Sequence, residues 1–593
     1  MKEKLFVGID LGTTNTECFI IAGHNEMQEL NMADAMDGCI LNSIVRRDGL
    51  GNYFVGNRLK NADVYKYSWK LLKTHLDKDL TYDYDGNETS DNDSNGIKPS
   101  LFSTKILEVI RKEIDHQFSP TQYEIENLVI TVPANFRDTA RRTVKQAALN
   151  AGFDVKGQFK LINEPTSAAV AYGQINKNFA DQKVIAYDLG GGTFDVTLLD
   201  YIKDEEEGCN FYQAISTDGK NIGGKDFDKL IIDIIYKKFL QEGNNRVYEN
   251  DETFKKEFYS TLLEEAEFAK KFLSKGNVYF QEKDLIIQEK KIHLNISISR
   301  EEFEKAIEPL IDETIELTKS AISGYEDLID SIILIGGSTR VPLVKEKLSK
   351  AFSYKILDNA KVDLVVAQGA CYHASSIGVN IDEKGAAVLN EILSNGIFSN
   401  IVGNVLSLDV APGTAIPCHV EKSYYGVSVD QDSIRSVICN GRGALIEDET
   451  VDILGDLEIK GLKKEGKKPE INCIYDITDD ELITVTIVSK ADPKNRVSTK
   501  FSINANHTEI KNEYIEKQKI ALERFKATFP SFNYKKQYER ISKILKSSSN
   551  TVARELLQRL DASIRDDEKF KNLIIRISAS HDHEFENNYY SKI

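Results

Sequence analysis

Apolar and polar residues along the chain follow three different spacings, and each spacing predicts a different kind of structure. Over about the first 370 residues, short apolar runs such as 128–132 and 332–335 each lead through a polar or glycine turn into a helical stretch. Strands that alternate with helices predict a layered α/β domain that binds ligands at the ends of its strands. Residues 411–505 alternate with the period of two that is typical of strands, and from about residue 508 the period becomes helical.

The back part of the chain contains patterns that predict individual elements. Residues 471–477 and 482–488 predict a hairpin, with Ile483, Val485 and Ile487 on one face. The stretch 446–455 is short for a full set of strands, which predicts a trimmed β-module. Four helices are predicted, over Glu509–Thr528, Tyr534–Leu545, Val552–Leu560 and Phe570–Ile577.

One turn occurs twice in the sequence. Residues 8–21 and 186–199 each contain an apolar strand, an Asp-Leu-Gly turn with Thr, and a second apolar strand. Glycines let successive N–H groups point at an anion, Thr hydroxyls add donors, and the Asp supplies a carboxylate for a hydrated Mg²⁺. A single glycine-rich hairpin is weak evidence, because such turns are common. Two copies in phase predict two related lobes that clamp one polyphosphate.

The composition of the chain indicates which classes of partner and which cellular compartment to expect. The formal net charge is −17, from 76 Lys and Arg against 93 Asp and Glu, which disfavours nucleic acid as a partner. The seven cysteines are dispersed and form no CxxC pair, which indicates reduced thiols without metal-ligand spacing. The chain starts directly in a strand and contains no apolar run of about 18 residues. We therefore expect a soluble, cytoplasmic protein with no membrane partner.

Two other stretches imitate ligand-binding motifs. Residues 461–468 mimic the start of a phosphate-binding Walker A loop, but they lack the final Ser or Thr and lie among predicted hairpins. The acidic stretch 83–93 has the wrong ligand spacing for an EF-hand and is expected to be a solvated loop. The nine histidines form no metal-binding motif. We expect no site at any of these positions.

Six blocks of sequence carry a family resemblance. They are Gly-Ile-Asp-Leu-Gly-Thr-Thr-Asn (8–15), Ile-Thr-Val-Pro-Ala (130–134), Ile-Asn-Glu-Pro-Thr (162–166), Asp-Leu-Gly-Gly-Gly-Thr-Phe-Asp-Val (188–196), Ile-Gly-Gly-Lys-Asp-Phe-Asp (222–228) and Gly-Gly-Ser-Thr-Arg-Val-Pro (336–342). In these blocks the sequence resembles the seventy-kilodalton heat-shock chaperone family of the actin-like ATPase superfamily. The resemblance implies an α/β, actin-like two-lobed nucleotide-binding domain (1–385), a connection and interdomain linker (386–410), a small β-sandwich for substrate (411–505) and a helical C-terminal lid (506–593). The C-terminal Tyr-Tyr-Ser-Lys-Ile lacks the Glu-Glu-Val-Asp ending of eukaryotic cytosolic members, which favours a bacterial or divergent member.

The resemblance also assigns roles to residues. The implied Mg²⁺ carboxylates, acting through water, are Asp10 and Asp188. The implied catalytic residues are Lys70, Glu164, Thr193 and Asp195. The implied nucleotide contacts are Gly12, Thr13, Thr14, Asn15, Gly190, Gly191, Gly192, Gly223, Gly224, Glu267, Lys270, Lys271, Ser274, Gly336, Gly337, Ser338, Arg340 and Asp363. The implied relay between nucleotide and linker consists of Pro133, Arg141, Leu406, Leu408 and Asp409.

Each of these assignments has a simpler alternative. Lys70 alone resembles a solvated lysine, Glu164 before a proline can merely cap the next helix, and the Glu267 face can be a solvated stripe. The β-module can lack a peptide groove. We expect ATP or ADP with Mg²⁺, and K⁺ as an optional further cation.

Three functions remain open at this point. The first is an ATP-regulated chaperone that holds unfolded polypeptide, assisted by a J-domain cochaperone and a nucleotide-exchange factor. The second is a non-hydrolysing relative that acts as an exchange factor or scaffold. The third is a small-molecule kinase of the same superfamily, which leaves the linker, the β-module and the helical tail unexplained.

Overall fold

The computed structural model describes residues 2–23, 26–32, 38–56, 65–77, 80–83, 88–90, 96–175, 181–204, 209–244, 248, 250–357, 364–377, 387–448, 450–500, 507–548 and 551–581. The Cα positions divide the chain into two compact units. The first is formed by Met1–Phe136 and Thr143–Asn390, and the second by Arg137–Arg142 and Glu391–Ile593. Each unit has hydrophobic cores of its own.

The first unit contains nineteen named strands and eight named helices in its described residues. The strands are β1 Glu3–Leu11, β2 Asn15–Ala22, β3 Gln28–Glu29, β4 Leu41–Asn42, β5 Ile44–Asp48, β6 Tyr53–Val55, β7 Tyr65–Lys70, β8 Thr81–Tyr82, β9 Glu88–Thr89, β10 Tyr123–Val132, β11 Phe159–Asn163, β12 Gln182–Leu189, β13 Phe194–Asp204, β14 Cys209–Lys220, β15 Val278–Ile287, β16 Lys290–Ser299, β17 Ile329–Ile335, β18 Lys355–Leu357 and β19 Ala387–Asn390. The helices are α1 Pro99–Gln117, α2 Asp138–Asn150, α3 Glu164–Ile175, α4 Gly224–Phe239, α5 Glu252–Leu273, α6 Arg300–Ala321, α7 Pro342–Ala351 and α8 Val365–Ser376; the first residues of α2 are assigned to the second unit.

The two main sheets of the first unit share one topology. In the first sheet the order is β11-β10-β1-β2-β3, and in the second it is β18-β17-β12-β13-β14-β19. Each begins with three parallel strands and continues through an antiparallel hairpin, β1–β2 in one sheet and β12–β13 in the other. These are the two hairpins that the repeated turn predicts, so the predicted pair of related lobes is confirmed.

Helices α3 and α8 approach the strands and each other closely, because glycines remove the Cβ at the contact points. A Cβ on Gly8 in β1 would lie 2.1 Å from the backbone N of Cys371, and one on Gly369 would lie 1.7 Å from the carbonyl O of Ser167. The buried Ser167 hydroxyl also donates to the Val366 carbonyl at 2.7 Å. This close packing holds the ends of β1 and β10 against α8, where the first repeated turn begins.

The second unit contains two four-stranded antiparallel sheets. Their strands are β20 Gly396–Ile401, β21 Val405–Val410, β22 Cys418–Tyr425, β23 Ser433–Gly441, β24 Val451–Lys460, β25 Glu470–Ile477, β26 Ile483–Ser489 and β27 Asp492–Lys500. The orders are β21-β20-β23-β24 and β22-β25-β26-β27. The predicted hairpin is confirmed as β25–β26, in which Ile483, Val485 and Ile487 are all buried in a core to which both sheets contribute.

The structure corrects the position of the predicted linker. Val405–Val410 is strand β21, paired with β20, and the amide of Leu406 donates to the Ala444 carbonyl at 2.9 Å. The boundary between the units lies between Asn390 and Glu391. An apolar run of six residues has the same pattern whether it is a linker or a strand, so the sequence alone did not separate them. Strands β20 and β21 belong to the second unit, so its sheets begin before the predicted boundary at residue 411.

Four helices follow the sheets and match the four that the sequence predicts. They are α9 His507–Thr528, α10 Tyr534–Ser547, α11 Thr551–Ala562 and α12 Asp567–His581. The apolar residues of α10, α11 and α12 share one buried cluster with the sheet β21-β20-β23-β24, whereas Leu522 and Phe525 of α9 are buried in a separate cluster with residues of α12. From the helices the shared cluster takes Ile541, Leu545, Val552, Ala553, Leu556, Leu560, Leu573, Ile574 and Ile577, and from the strands and turns it takes Phe398, Val405, Leu406, Val437, Cys439, Ala444, Leu445, Ile446, Val451 and Ile453.

Arg576 on α12 fastens the helices to the β20–β21 turn. Its buried guanidinium donates to the Gly403 carbonyl at 2.7 Å and to the Asn404 carbonyl at 3.3 Å, and it binds both carboxylate oxygens of Glu447. Gly403 has a φ of 80°, and a Cβ there would lie 2.5 Å from the carbonyl O of Arg576. The turn and the helix therefore fit each other without space for a side chain.

We expect Arg576→Met to lower the free energy of unfolding of the second unit by about 2–3 kcal/mol, because two buried carbonyls and the Glu447 carboxylate lose their donor. Urea unfolding followed by circular dichroism measures this. Lys571→Met, which removes an exposed ion pair with Asp567 on the same helix, is the control and should change the midpoint little. Equal midpoints for the two variants would show that Arg576 is not a fastening contact.

Two further findings concern the cysteines and the helices of the described residues. Cys18, Cys39, Cys371, Cys418, Cys439 and Cys473 are free thiols, as their dispersed spacing predicts. Across the described ranges, no helix combines the length and the apolar character that crossing a membrane requires.

Candidate nucleotide site

The two repeated turns meet in the first unit and enclose a cavity of about 600 Å³. A Cβ placed on Gly191 would lie 2.1 Å from Thr14 Oγ1, and one on Gly192 would lie 3.0 Å from Thr13 Cγ2, so the turns are in direct contact. Predicted residues that line the cavity are Asp10, Gly12, Thr13, Thr14, Asn15, Glu164, Asp188, Gly190, Gly191, Thr193, Glu267, Lys270, Lys271, Ser274, Gly336, Gly337, Ser338 and Arg340.

Three carboxylates, those of Asp10, Glu164 and Asp188, line this cavity, and a fourth, that of Asp195, lies beside Asp188. Burial raises the pKa of Asp188 well above its usual value, and Glu164, Asp195 and Asp10 raise it further, because each adds a like charge. Asp195 faces Asp188 across the β12–β13 hairpin. Asp10 is held by the Thr131 hydroxyl, which donates to its Oδ1 at 2.6 Å. So much negative charge in a buried space is the signature of a site that takes a cation.

The lysine beside these carboxylates is Lys73, and Lys70 lies elsewhere. Lys73 Nζ is 2.5 Å from Glu164 Oε1, and the two side chains are 4% and 11% exposed. Lys70 Nζ is instead 2.7 Å from Glu264 Oε1, with side chains 30% and 76% exposed, and Lys70 is absent from the cavity lining. The structure therefore places Lys73, three residues after the predicted Lys70, beside the carboxylates of the cavity.

The backbone explains this difference. Strand β7 continues through Lys70, and Leu71 then adopts a left-handed conformation with φ 63° and ψ 13°. This kink ends the strand and starts a 3₁₀ turn over Leu72–His75, from which Lys73 points into the cavity. A left-handed leucine is uncommon, and strained conformations of this kind concentrate at functional sites.

Helix α5 forms one wall of the cavity with the face that the sequence predicts. Lys270 Nζ binds Asp228 at 2.9 Å and the Gly224 carbonyl at 3.1 Å, while Lys271 pairs with Glu267 at 2.7 Å. Burial raises the pKa of Asp228 to about 6, although Lys270 beside it acts in the opposite direction. Glu267 and Lys271 thus form the i, i+4 ion pair that is expected of a solvated helix face, but both residues also line the cavity. Asp363 lies outside the described residues.

Four other predicted residues support the site without lining it. The amide of Gly224 donates to the Gly190 carbonyl at 3.0 Å, and a Cβ on Gly223 would lie 2.5 Å from the backbone N of Gly192. The other two of these four residues are Gly192 and Asp195. The Oδ1 of Asp195 accepts a hydrogen bond from the amide of Asn135 at 3.0 Å. The turn before α4 therefore acts as a base on which the second repeated turn rests.

Seven lining residues were missed by sequence reasoning. They are Glu17, Ile40, Lys73, Lys275, Ile335, Val341 and Val366. Lys275 and Val341 adjoin predicted residues, so extending each motif by one position would have found them. Ile40 and Val366 belong to no motif, and only the folded chain brings them to the site.

The predicted relay residues do not form one group. Pro133 follows β10 directly, and its carbonyl accepts the amide of Phe136 at 3.0 Å. Arg141, which belongs to the second unit in the division above, forms a buried ion pair with Glu481 at 2.7 Å. Leu406, Leu408 and Asp409 lie in strand β21 and not in the predicted linker.

Asp409 is a buried carboxylate between the two sheets of the second unit. Its oxygens accept hydrogen bonds from Ser399 Oγ at 2.7 Å and from the hydroxyls of Tyr424 and Tyr475. Burial raises the pKa of Asp409, and the three hydroxyl donors oppose that rise. The three hydroxyl donors satisfy the carboxylate, so Asp409, Ser399, Tyr424 and Tyr475 together form a hydrogen-bonded polar network inside an apolar core.

In the part of the chain that the structure describes, no three His, Cys, Asp or Glu side chains come together as ligands of one ion. Mg²⁺ keeps several waters and binds proteins through few carboxylates. Asp10 and Asp188, one from each repeated turn, therefore fit a hydrated Mg²⁺ better than a bare ion.

The architecture of the first unit defines the class of protein. Two sheets of duplicated topology, whose hairpin turns meet over one cavity, fit the two-lobed actin-like fold. A family model described as Hsp70 protein matches residues 52–590, and the chain therefore belongs to the Hsp70 family. Membership supports a chaperone role. Members are ATPases that in general bind ATP or ADP with Mg²⁺ and work with unfolded clients, J-domain cochaperones and exchange factors.

Proposed function

We propose that this chain is an ATP-dependent molecular chaperone that binds and releases unfolded polypeptide segments under the control of ATP hydrolysis. The observation that carries the proposal is the meeting of the two repeated turns at one cavity, which Lys73 and the carboxylates of Asp10, Glu164 and Asp188 line. Phosphoryl transfer requires mainly positioning and positive charge near the transferred group, and this cavity offers both.

The phosphate chain would lie between the two turns. The hydroxyls of Thr13 and Thr14 and the N–H groups of the Gly190–Gly192 turn would bind the β- and γ-phosphates, since glycines there let the backbone reach the oxygens. Asp10 and Asp188 would hold Mg²⁺ through its waters. When bound, Mg²⁺ would neutralise charge on the β- and γ-phosphate oxygens.

Hydrolysis would depend on side chains at the carboxylate end. Lys73 would place its ammonium beside the γ-phosphate, in the role that the sequence suggested for Lys70. Glu164, oriented by Lys73, and Asp195 would orient the attacking water, and Thr193 would donate to the transferred group. Glu267, Lys270, Lys271, Ser274 and Arg340 would hold the adenosine.

The second unit would hold the client. Its two antiparallel sheets would act as a small β-sandwich for an extended peptide, and helices α9–α12 would cover it. ATP would favour a state of low peptide affinity and hydrolysis a state of high affinity, which is a shift between two populations. A J-domain cochaperone and a nucleotide-exchange factor would time this cycle. The non-hydrolysing alternative is not favoured, because the cavity retains a lysine and an acidic group beside the phosphate turns.

The proposal predicts that an extended apolar peptide accelerates a slow basal hydrolysis of ATP by several-fold. Single-turnover hydrolysis by the purified protein, with and without excess peptide, measures this. An equally long peptide of Asp, Ser and Gly is the control and should leave the rate unchanged.

Three other results would each change the proposal. Hydrolysis that ignores both peptides would leave an ATPase without client control. ATP binding without any turnover would favour the exchange-factor or scaffold function. Absence of ATP binding would overturn the nucleotide site itself.

A further inference from the structure

Arg300, at the start of helix α6, binds the C-terminal end of helix α5. Its Nε donates to the Leu273 carbonyl at 2.8 Å and to the Gly276 carbonyl at 3.0 Å. The backbone joins the same pair of elements, because the amide of Arg300 donates to the Asn277 carbonyl at 2.7 Å. The last carbonyls of a helix lack intrahelical partners and carry the negative end of the helix dipole, so a guanidinium there is doubly favourable.

The helix end that Arg300 holds is also the wall of the nucleotide cavity. Lys270, Lys271, Ser274 and Lys275 all line the cavity and lie within one turn of Leu273 or just after it. The amides of Lys275 and Gly276 both donate to the Phe272 carbonyl, at 2.9 and 2.7 Å. The turn is therefore tight, and its position relative to α5 is fixed from outside the cavity by the Arg300 side chain.

Arg300 itself lines a different and more open groove of about 620 Å³, together with Asn277, Glu304 and Leu343. None of the groove residues lines the nucleotide cavity. Because the side chain faces this open groove, shortening or replacing it leaves no sealed void in a core. The remainder of the first unit should therefore fold in a variant at this position.

We propose that Arg300 is a positioning residue for the adenosine side of the nucleotide cavity. It acts through the turn Ser274–Asn277 and touches neither phosphate nor the attacking water. The inference rests on the proposed function, since it assumes that the cavity binds ATP. Its consequence is a separation of effects: loss of the Arg300 contacts weakens ATP binding and spares the chemical step.

The test is single-turnover hydrolysis by the full chain over a range of ATP concentrations. Arg300→Met should raise the half-saturating ATP concentration about tenfold, which corresponds to about 1.4 kcal/mol, while the rate at saturation stays within about twofold of wild type. Arg300→Lys should recover part of the affinity, because an ammonium at this place can still donate to carbonyls but lacks the planar fork.

The matched control is Arg111→Met. Arg111 Nε likewise donates to a backbone carbonyl, that of Gly152, at 3.2 Å, but Arg111 is not among the residues that line the cavity. This variant should keep the wild-type half-saturating concentration and rate.

Every other outcome overturns either the positioning role of Arg300 or the proposed function. An Arg300→Met variant with unchanged affinity, or with a lower saturated rate at unchanged affinity, overturns the positioning role. If Arg300→Met does not fold, an Arg300→Lys variant that folds and shows no loss of affinity overturns it equally. A wild-type protein that binds no ATP overturns the proposed function, and the positioning role with it.

Discussion

Lys73→Met should hydrolyse ATP about 10²–10³-fold more slowly than wild type at saturating ATP, which is the usual loss for one preorganised charge-stabilising donor. The lysine is 4% exposed and lies 2.5 Å from Glu164, so its ammonium acts where water screens it little. Methionine has a similar length and fills the space without the charge. Single-turnover hydrolysis at saturating ATP measures the effect.

Lys70→Met is the matched control, because it makes the same substitution three residues earlier in an exposed pair with Glu264. It should keep the saturated rate within a few-fold of wild type. The reverse pattern, a slow Lys70→Met variant and an active Lys73→Met variant, would restore the family-based assignment and reject the geometry around the Leu71 kink.

Asp188→Asn should stabilise the nucleotide-free protein and remove most of its response to Mg²⁺ with ATP. The pKa of Asp188 is raised by burial and by three neighbouring carboxylates, so ionising this side chain in the empty protein costs folding free energy. Removing that charge should raise the Tm by about 2–4 °C for each kcal/mol by which the free energy of unfolding increases. The affinity for Mg²⁺ with ATP should fall by about 10–100-fold, as expected for a ligand that acts through bound water.

The sign of the pH dependence follows from the raised pKa. The native state holds the Asp188 proton more tightly than the unfolded chain does, so the penalty develops as pH rises above the usual value of 3.8 and is complete above the native pKa. The Tm difference between Asp188→Asn and wild type should therefore be largest at neutral pH and shrink in acid. Thermal unfolding at several pH values, with and without Mg²⁺ and ATP, measures both effects.

Asp154→Asn is the control for this series, because Asp154 is an exposed carboxylate that pairs with Lys156 two residues later. It should change neither the Tm of the empty protein nor the response to Mg²⁺ with ATP. A less stable Asp188→Asn variant would show that the carboxylate is a structural acceptor and not a cation ligand.

The repeated turn was the part of the site that the sequence predicted best. The Gly, Thr and Asp residues of the two similar turns predict a phosphate-binding geometry, because that geometry depends on residues that are adjacent in the chain. The structure places both copies at equivalent strand ends, and Thr14 against Gly191 joins them. The helical face of α5 was predictable for the same reason, since its spacing is local.

The errors arose where the backbone conformation was not local information. The sequence pattern does not distinguish Lys70 from Lys73 as the lysine of the cavity. The left-handed conformation of Leu71 determines that Lys73 enters it. Val405–Val410 is an apolar run that serves equally as linker or strand, and only its pairing with β20 shows that it is a strand. Ile40 and Val366 reach the site solely through the packing of distant segments.

The apolar cluster between the helices and the sheet β21-β20-β23-β24 has a consequence for how the second unit moves. Ten side chains from the strands and turns and nine from the helices are buried together, and Arg576 ties the same surfaces through hydrogen bonds. Separating them exposes an apolar surface to water, as in the opening of a cooperative folding unit. Release of these helices would therefore be a subglobal unfolding event, whose free energy depends on denaturant and which has a heat-capacity change. Unlike rotation about a free hinge, it would be slowed by each side chain that has to leave the buried cluster.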